Sequence, residues 1–270
     1  MTRFGVFADA HYARGKQYGN RFCDRSLGKL ERCLKEFRER EVESIVNLGD
    51  LIDGAHDGPT DLANYAAMRE LLDGSGRPVH HVLGNHDLES MDKARALEAL
   101  GATGPRTWYG FGDGSTRLIV LDACFRSDGA AYADGEYDWT DTFVPDDELT
   151  WLAEELSGSL DPAVVFVHQN LDHRLWQGKL DPHLVRNADA VRRVLESARC
   201  PVVVLQGHYH PGLLQQINGV TYLTLGAMCE GGTAEDNAYA VVTVDGEAVT
   251  VEGFARQESY RLELPVSGGH

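Results

Sequence analysis

No apolar run in this chain approaches the roughly 18 residues that a membrane-spanning helix requires, so no membrane partner is expected. There is no CxxC pair, and the five cysteines (Cys23, Cys33, Cys124, Cys200 and Cys229) are scattered and odd in number. That excludes a disulfide framework and fits reduced thiols in a cytoplasm. No Ser/Pro-rich tract, repeat or low-complexity segment marks a linker. With 270 residues and 43% hydrophobic content, the chain is read as one domain, 1–270, with a sizeable core. Met1-Thr2-Arg3-Phe4 leads straight into an apolar run, so no secretory signal is expected. Positive charge is scarce and uneven: the net charge is −17, and no lysine or arginine lies between Arg126 and Arg174, where Asp128 to Asp172 carries twelve acids. Polymeric nucleic acid needs a basic track, so it is not an expected partner. The acidic stretch reads as a solvated face that keeps the chain soluble.

What the chain does have is a set of chemistry-bearing residues at the ends of five short apolar runs. Phe4 to Ala8 ends in Asp9-Ala10-His11, and Ser44 to Leu48 in Gly49-Asp50-Leu51-Ile52-Asp53. Val79 to Leu83 ends in Gly84-Asn85-His86-Asp87, Ala163 to Val167 in His168, and Pro201 to Leu205 in Gln206-Gly207-His208-Tyr209-His210. Short apolar runs bounded by Gly and Asp read as buried strands, and ligands of a layered α/β domain gather at the carboxyl ends of such strands. On an extended chain Asp9 and His11 would point the same way, roughly 6.6 Å apart, and could converge on one ion. Gly207 suggests a turn that lets His208 and His210 diverge. Asp50 can bridge two cations, and the Asn85 carbonyl suits a hard divalent ion. Asp9, His11, Asp50, Asn85, His168, His208 and His210 make seven candidate ligands, too many for one small ion with an open position. Two ions sharing Asp50 is the economical solution. The set suits Mn²⁺, Fe, Zn²⁺ or Mg²⁺ without choosing among them.

These segments resemble the calcineurin-like metallophosphoesterases, whose pattern is D-x-H, G-D-x-x-D, G-N-H-D/E, a lone His after a strand, and G-H-x-H. All five elements stand here in that order, over roughly positions 1 to 230. The resemblance implies a four-layer α/β/β/α sandwich of two mixed sheets flanked by helices. It implies one ion held by Asp9, His11, Asp50 and His210 and a second by Asp50, Asn85, His168 and His208. A bridging hydroxide would attack phosphorus in line, with His86 assisting the leaving oxygen, Asp87 orienting the His86 ring and Asp53 supporting the metal shell from behind. The expected activity is hydrolysis of small-molecule phosphate esters, as a phosphodiesterase or pyrophosphatase similar to those cleaving cyclic nucleotides, glycerophosphodiesters, ADP-ribose or CDP-alcohols. A phosphomonoesterase is the alternative, and a non-catalytic binding scaffold a third reading. A phosphoprotein phosphatase would show arginines beside the second and third motifs, and this chain has none there.

Arg14, Lys16, Arg21 and Arg25 follow the first motif, where positive charge would hold a phosphate-bearing substrate. Among the other histidines, His80 and His81 should point to opposite faces of the third strand. His56 and His173 could line the pocket, His183 belongs to a polar loop, and His270 is a loose terminus. Helices are expected over 24–40 (Asp24 as N-cap), 61–72, 92–100, 145–156 and 187–198. Further strands are expected at 117–121, 219–225, 238–244 and 248–254. Ser127 to Val144, with Tyr132, Tyr137, Trp139 and Phe143, is the least regular segment, readable as a lid over an organic group or as rings packed on the domain.

Overall fold

The computed structural model describes residues 1–102, 106–112, 116–133, 135–158 and 160–264, so the expectation for His270 lies outside the described residues. The chain begins β1 (Thr2–Phe7), α1 (Ser26–Glu39), β2 (Ser44–Asn47), α2 (Gly58–Gly74), β3 (Val79–His81) and α3 (Lys93–Leu100). It continues β4 (Tyr109–Phe111), β5 (Arg117–Val120), α4 (Asp146–Ser157), β6 (Ala163–Val167), β7 (Leu175–Trp176), β8 (Lys179–Leu180) and α5 (Ala188–Glu196). The last six strands are β9 (Val202–Gln206), β10 (Leu213–Ile217), β11 (Val220–Thr224), β12 (Ala238–Val244), β13 (Ala248–Ala255) and β14 (Tyr260–Glu263). Among the described residues these strands form two six-stranded sheets, ordered β14-β13-β12-β1-β2-β3 and β10-β11-β9-β6-β5-β4, and a separate β7–β8 hairpin. Both large sheets are mixed: in the first, parallel β1-β2-β3 run to one edge and antiparallel β12-β13-β14 complete the other, and in the second, parallel β11-β9-β6-β5 are flanked by antiparallel β10 and β4.

Side-chain alternation explains the four layers. Phe4 and Val6 of β1 face Val164 and Phe166 of β6 and Val203 and Leu205 of β9, forming the core between the sheets. Phe7 and Ile45 point the other way, onto Leu30, Cys33 and Phe37 of α1. Gly5 is on that outer face because a Cβ there would come within 2.5 Å of the Phe37 ring. On the second sheet Ile119, Val165, Val167 and Val204 turn outward against Leu152 of α4 and Val191 and Leu195 of α5. Central strands covered on both faces read as continuous apolar runs, which is what made them visible in the sequence. Truncating such a residue, Phe166→Ala for example, should cost about 3–5 kcal/mol.

Two of the helices start at side-chain caps. Asp57 and Asp92 cap α2 and α3 by accepting from Thr60 N and Arg95 N, and Gly101 ends α3 at φ 71°. Asp24, the expected cap of α1, lies instead in a short 3₁₀ turn, Cys23–Arg25, and α1 starts at Ser26, whose hydroxyl donates to the Ala10 carbonyl. No helix among the described residues is long and apolar enough to cross a membrane.

Candidate metal centre

Register brings the motif loops to one rim. Phe7 pairs with Asn47 and Asn47 with His81, so β1, β2 and β3 end side by side; Val167 pairs with Gln206, so β6 and β9 do the same. The loops then bond to one another: Asp9 N–H donates to Gly49 O (3.1 Å), His11 N–H to Asp50 O (2.8 Å) and Gly207 N–H to His168 O (3.1 Å). Asp87 is the knot. Its carboxylate accepts from Asp50 N (2.9 Å), Gly84 N (2.9 Å), Leu51 N (3.0 Å) and the Tyr65 hydroxyl (3.1 Å). Burial and the charge of Asp50 push its carboxyl up to about 6.

The backbone here is not extended. Asp9, His11, Asp50 and His208 have φ of 53°, 45°, 50° and 67°, a left-handed conformation that costs non-glycine residues roughly 1–3 kcal/mol each. The extended geometry expected for Asp9 and His11 is therefore replaced by a kinked one, while the turn expected at Gly207 is present, with Tyr209 N–H donating to Gly207 O (2.7 Å). Two motif glycines are steric necessities: a Cβ on Gly84 would overlap the Asp50 carboxylate, and Gly49 has φ 98° with His168 Nδ1 2.6 Å from where its Cβ would stand.

Side-chain ends converge from all these loops. His11 Nε2 lies 3.5 Å from Asp50 Oδ2, 3.8 Å from Asp9 Oδ1 and 3.2 Å from His210 Nε2, which is itself 3.7 Å from Asp9 Oδ1. His168 Nε2 lies 3.1 Å from Asp50 Oδ2, and Asp50, His168 and His208 can each offer an atom within 4.8 Å of the others. Asn85 precedes His86, whose backbone N–H donates to Asp50 Oδ1 at 2.8 Å. Thus Asp50 joins two groups, one with Asp9, His11 and His210 and one with His168 and His208.

Two observations test whether divalent ions fit. First, the outer nitrogens are tied down and the inner ones face one another and the carboxylates. His11 Nδ1 faces Asp53 Oδ1 (2.8 Å), His168 Nδ1 faces Leu48 O (2.8 Å) and His210 Nδ1 faces Glu230 Oε1 (3.2 Å). Such partners fix the tautomer so that Nε2 presents its lone pair to a metal. His168 Nε2, His208 Nε2 and Asn85 Oδ1 are buried with no hydrogen-bond partner, a state that costs about 1–3 kcal/mol per group unless a ligand relieves it. Second, the pocket attracts positive charge. Burial alone would lower the His11 and His168 pKa values, yet the carboxylates of Asp53, Asp9 and Asp50 around His11, and of Asp50 and Asp9 around His168, raise both to about 9. Burial and the neighbouring His168 and His183 hold His208 well below the usual imidazole range. A mixed N/O set with buried, unpartnered inner atoms and excess negative charge fits two divalent cations.

The surroundings revise several expectations. Asp87 does not orient His86; its oxygens are used on backbone amides. Glu89, on the 3₁₀ turn that starts at His86, lies 3.1 Å from His86 Nδ1 and accepts from the Tyr137 hydroxyl at 2.5 Å, and Asp53 Oδ1 is 3.9 Å from the same nitrogen. The sequence signal was a carboxylate three residues after a histidine at the start of a helical turn. Asp53 meets His11, and Lys16 Nζ (2.6 Å) and Arg21 (3.9 Å) reach it, whereas Arg14 is exposed and Arg25 pairs with Asp24. His80 stacks on Phe111, and His81 is buried beside Asn47. His56 approaches Glu89 (3.6 Å). Cys229, read in the sequence only as one of the scattered thiols, stands 3.9 Å from His210 Nδ1. Its loop is held by the buried Lys29 ammonium, which donates to Met228 O, Glu230 O and Gly231 O at 2.9, 2.6 and 2.7 Å. His183, read as a residue of a polar loop, packs its ring 5.1 Å from that of His208.

The family model described as calcineurin-like phosphoesterase matches residues 2–212. A manganese-dependent ADP-ribose/CDP-alcohol diphosphatase of Danio rerio is 33% identical over 113 residues, covering 38% of this chain and 34% of that protein. The protein of the same name from Arabidopsis thaliana is 27% identical over 131 residues, covering 45% of this chain and 42% of that one. The matched stretch thus spans between a third and a half of those relatives. A crystal structure of a dimetal phosphatase from Danio rerio superposes with a TM-score of 0.83 at 21% identity, covering 97% of this chain and 98% of that one, and shows the same fold.

Proposed function

This chain belongs to the calcineurin-like phosphoesterase family, and we propose that it is a metal-dependent hydrolase of small-molecule phosphate esters that prefers phosphodiesters and pyrophosphates to monoesters. The observation that carries this reading is the rim of imidazoles whose outer nitrogens are fixed and whose inner nitrogens converge on shared Asp50. The names of the diphosphatase relatives support a pyrophosphate-bearing substrate and manganese. Asp9, His11, Asp50 and His210 would hold one ion, and Asp50, Asn85, His168 and His208 the other. When bound, such a pair would polarise the phosphoryl oxygens and make water nucleophilic near neutral pH.

The chain's own residues do the rest. Lys16 and Arg21, beside Asp53, put positive charge where the substrate's phosphates arrive. Glu89, 3.1 Å from His86 Nδ1, would orient the ring and leave Nε2 to deliver a proton to the leaving oxygen. Asp87 keeps the Asp50 and Asn85 loops locked together, so the rim is set before substrate binds.

The test is hydrolysis of ADP-ribose, a bis-aryl phosphate and an aryl monophosphate, side by side with Mn²⁺. We expect chelator-sensitive cleavage with the diphosphate or diester favoured. Preference for the monoester would make it a phosphomonoesterase. No cleavage of any of them by metal-loaded protein would leave the scaffold reading.

A further inference from the structure

We propose that the cleft between the Asp138–Asp141 turn and the β7–β8 hairpin seats a planar, uncharged aromatic group of the substrate, a nucleobase, beside His208; this rests on the hydrolase reading above. The cleft has a volume of about 850 Å³ and is lined by Trp139, Trp176, Leu175, His183, Tyr209 and Leu213. That volume lies within the roughly 300–1,000 Å³ usual for small-molecule sites. It also adjoins the rim. The Trp139 ring centroid is 6.0 Å from that of His208, and the His183 ring is 5.1 Å from both and 5.4 Å from Tyr209. An aromatic wall thus runs from a candidate metal ligand into the cleft. Neither this cleft nor the one of similar size, about 880 Å³ beside His80 and Phe111, is lined by a candidate metal ligand, but here two lining rings, Trp139 and His183, meet the ring of His208.

One wall is built in advance. Tyr132 is fully buried, and its hydroxyl donates to Asp138 O (2.5 Å) and approaches Asp141 O (3.2 Å). Asp138 Oδ1 accepts from the Thr140 amide (2.9 Å) and hydroxyl (2.7 Å). The turn so fixed presents Trp139 at 39% exposure. The opposite wall is the hairpin, which leaves Leu175, Trp176 and Leu180 exposed at 62%, 58% and 65%. Exposed rings on ordered supports give contact area at small entropic cost.

Charge decides the class of ligand. Arg174 stacks on Tyr209 at 3.9 Å, with Nε 3.1 Å from Asp172 and Nη2 donating to Asn170 (2.6 Å), while Nη1 is buried without a hydrogen-bond partner. Asp181 is committed to His183 through both the ring (2.6 Å) and the amide (2.9 Å). With Arg174 paired to Asp172 and Asp181 to His183, the lining left to a ligand is mostly ring faces, the exposed His173 among them.

The experiment is calorimetric titration of Mn²⁺-loaded protein with AMP and with ribose 5-phosphate, for wild type, Trp139→Ala, Trp176→Ala and Trp139→Phe. We expect AMP to bind at least about tenfold tighter than ribose 5-phosphate, each alanine variant to lose roughly tenfold for AMP alone, and Trp139→Phe to restore most of the loss. Equal affinities for the two ligands, or alanine variants that bind AMP as wild type does, overturn the subsite while leaving the hydrolase reading standing. If neither ligand binds and no phosphate ester is cleaved, the hydrolase reading fails and takes the subsite with it. If Trp176→Ala converts a dimer to a monomer in sedimentation without changing AMP affinity, the hairpin is an interface between copies and the proposal is wrong.

Discussion

The metal rim and the cleft beside it are built in opposite ways. On the rim, four left-handed non-glycine residues, buried carboxylates and unpartnered nitrogens are held by backbone hydrogen bonds between strand ends, with almost nothing exposed. In the cleft, two loops far apart in sequence bring half-exposed tryptophans together across open space, and the charges there are paired with one another. The rim stores strain and charge that only cations relieve, whereas the cleft stores uncovered apolar surface. Chemistry common to a family can reside in the first while substrate choice resides in the second.

Substitutions that attack the rim should have the largest effects. Asp50→Asn removes the shared carboxylate, and we expect metal content to fall at both sites and turnover to drop about 10³-fold, measured by elemental analysis and steady-state rates. Retention of both ions would break the distinction drawn for Asp50. His86→Ala should cost about 10²-fold or more in kcat with both ions retained; parallel loss of metal would make His86 a ligand rather than an acid. Glu89→Gln acts on the joint between the two regions, since Glu89 meets His86 on one side and Tyr137 of the irregular segment on the other. Its effect should be roughly 10-fold on kcat, with a displaced pH–rate profile and an unchanged melting temperature. An unchanged profile would reduce Glu89 to packing.

The smallest effect lies away from both regions. Burial lowers His80 and His81 from 6.5 to about 4. The unfolded chain then takes up protons that the folded chain refuses, so this contribution is full above pH 6.5 and is lost as pH falls from 6.5 towards 4. In melts of chelator-treated protein, His80→Phe should keep the stack on Phe111 and flatten the acid loss by about 1 kcal/mol, allowing for the partial exposure of the ring. An acid loss as steep as that of wild type would show that His80 titrates normally.

The same contrast explains what the sequence revealed. Every rim residue follows a buried strand, and register turns sequence spacing into spatial proximity, so Asp9, His11, Asp50, Asn85, His168, His208 and His210 were legible as a group. The sandwich was legible too, because doubly covered strands are apolar throughout. Glu89 was passed over because the motif was read only as far as Asp87, and Asp87 was given the task that Glu89's position performs. The hairpin had a signal, Gln177-Gly178 between two short pairs, with φ of 53° and 77° in the structure, but two-residue strands are too short for alternation to show. His183 and Trp139 meet across 44 residues of chain with no spacing to announce it. Of the 127–144 rings, Tyr132 and Tyr137 pack against the domain, as the packing reading has it, and Trp139 stands beside His208, where the proposed subsite would use it.

The most direct test of the central claim is the number of Mn²⁺ ions bound per chain, counted by elemental analysis after gel filtration, for wild type beside Asp50→Asn. Two ions in the wild type and loss of both in the variant are predicted. One ion or none in the wild type, or two ions in both proteins, would contradict a pair held through Asp50.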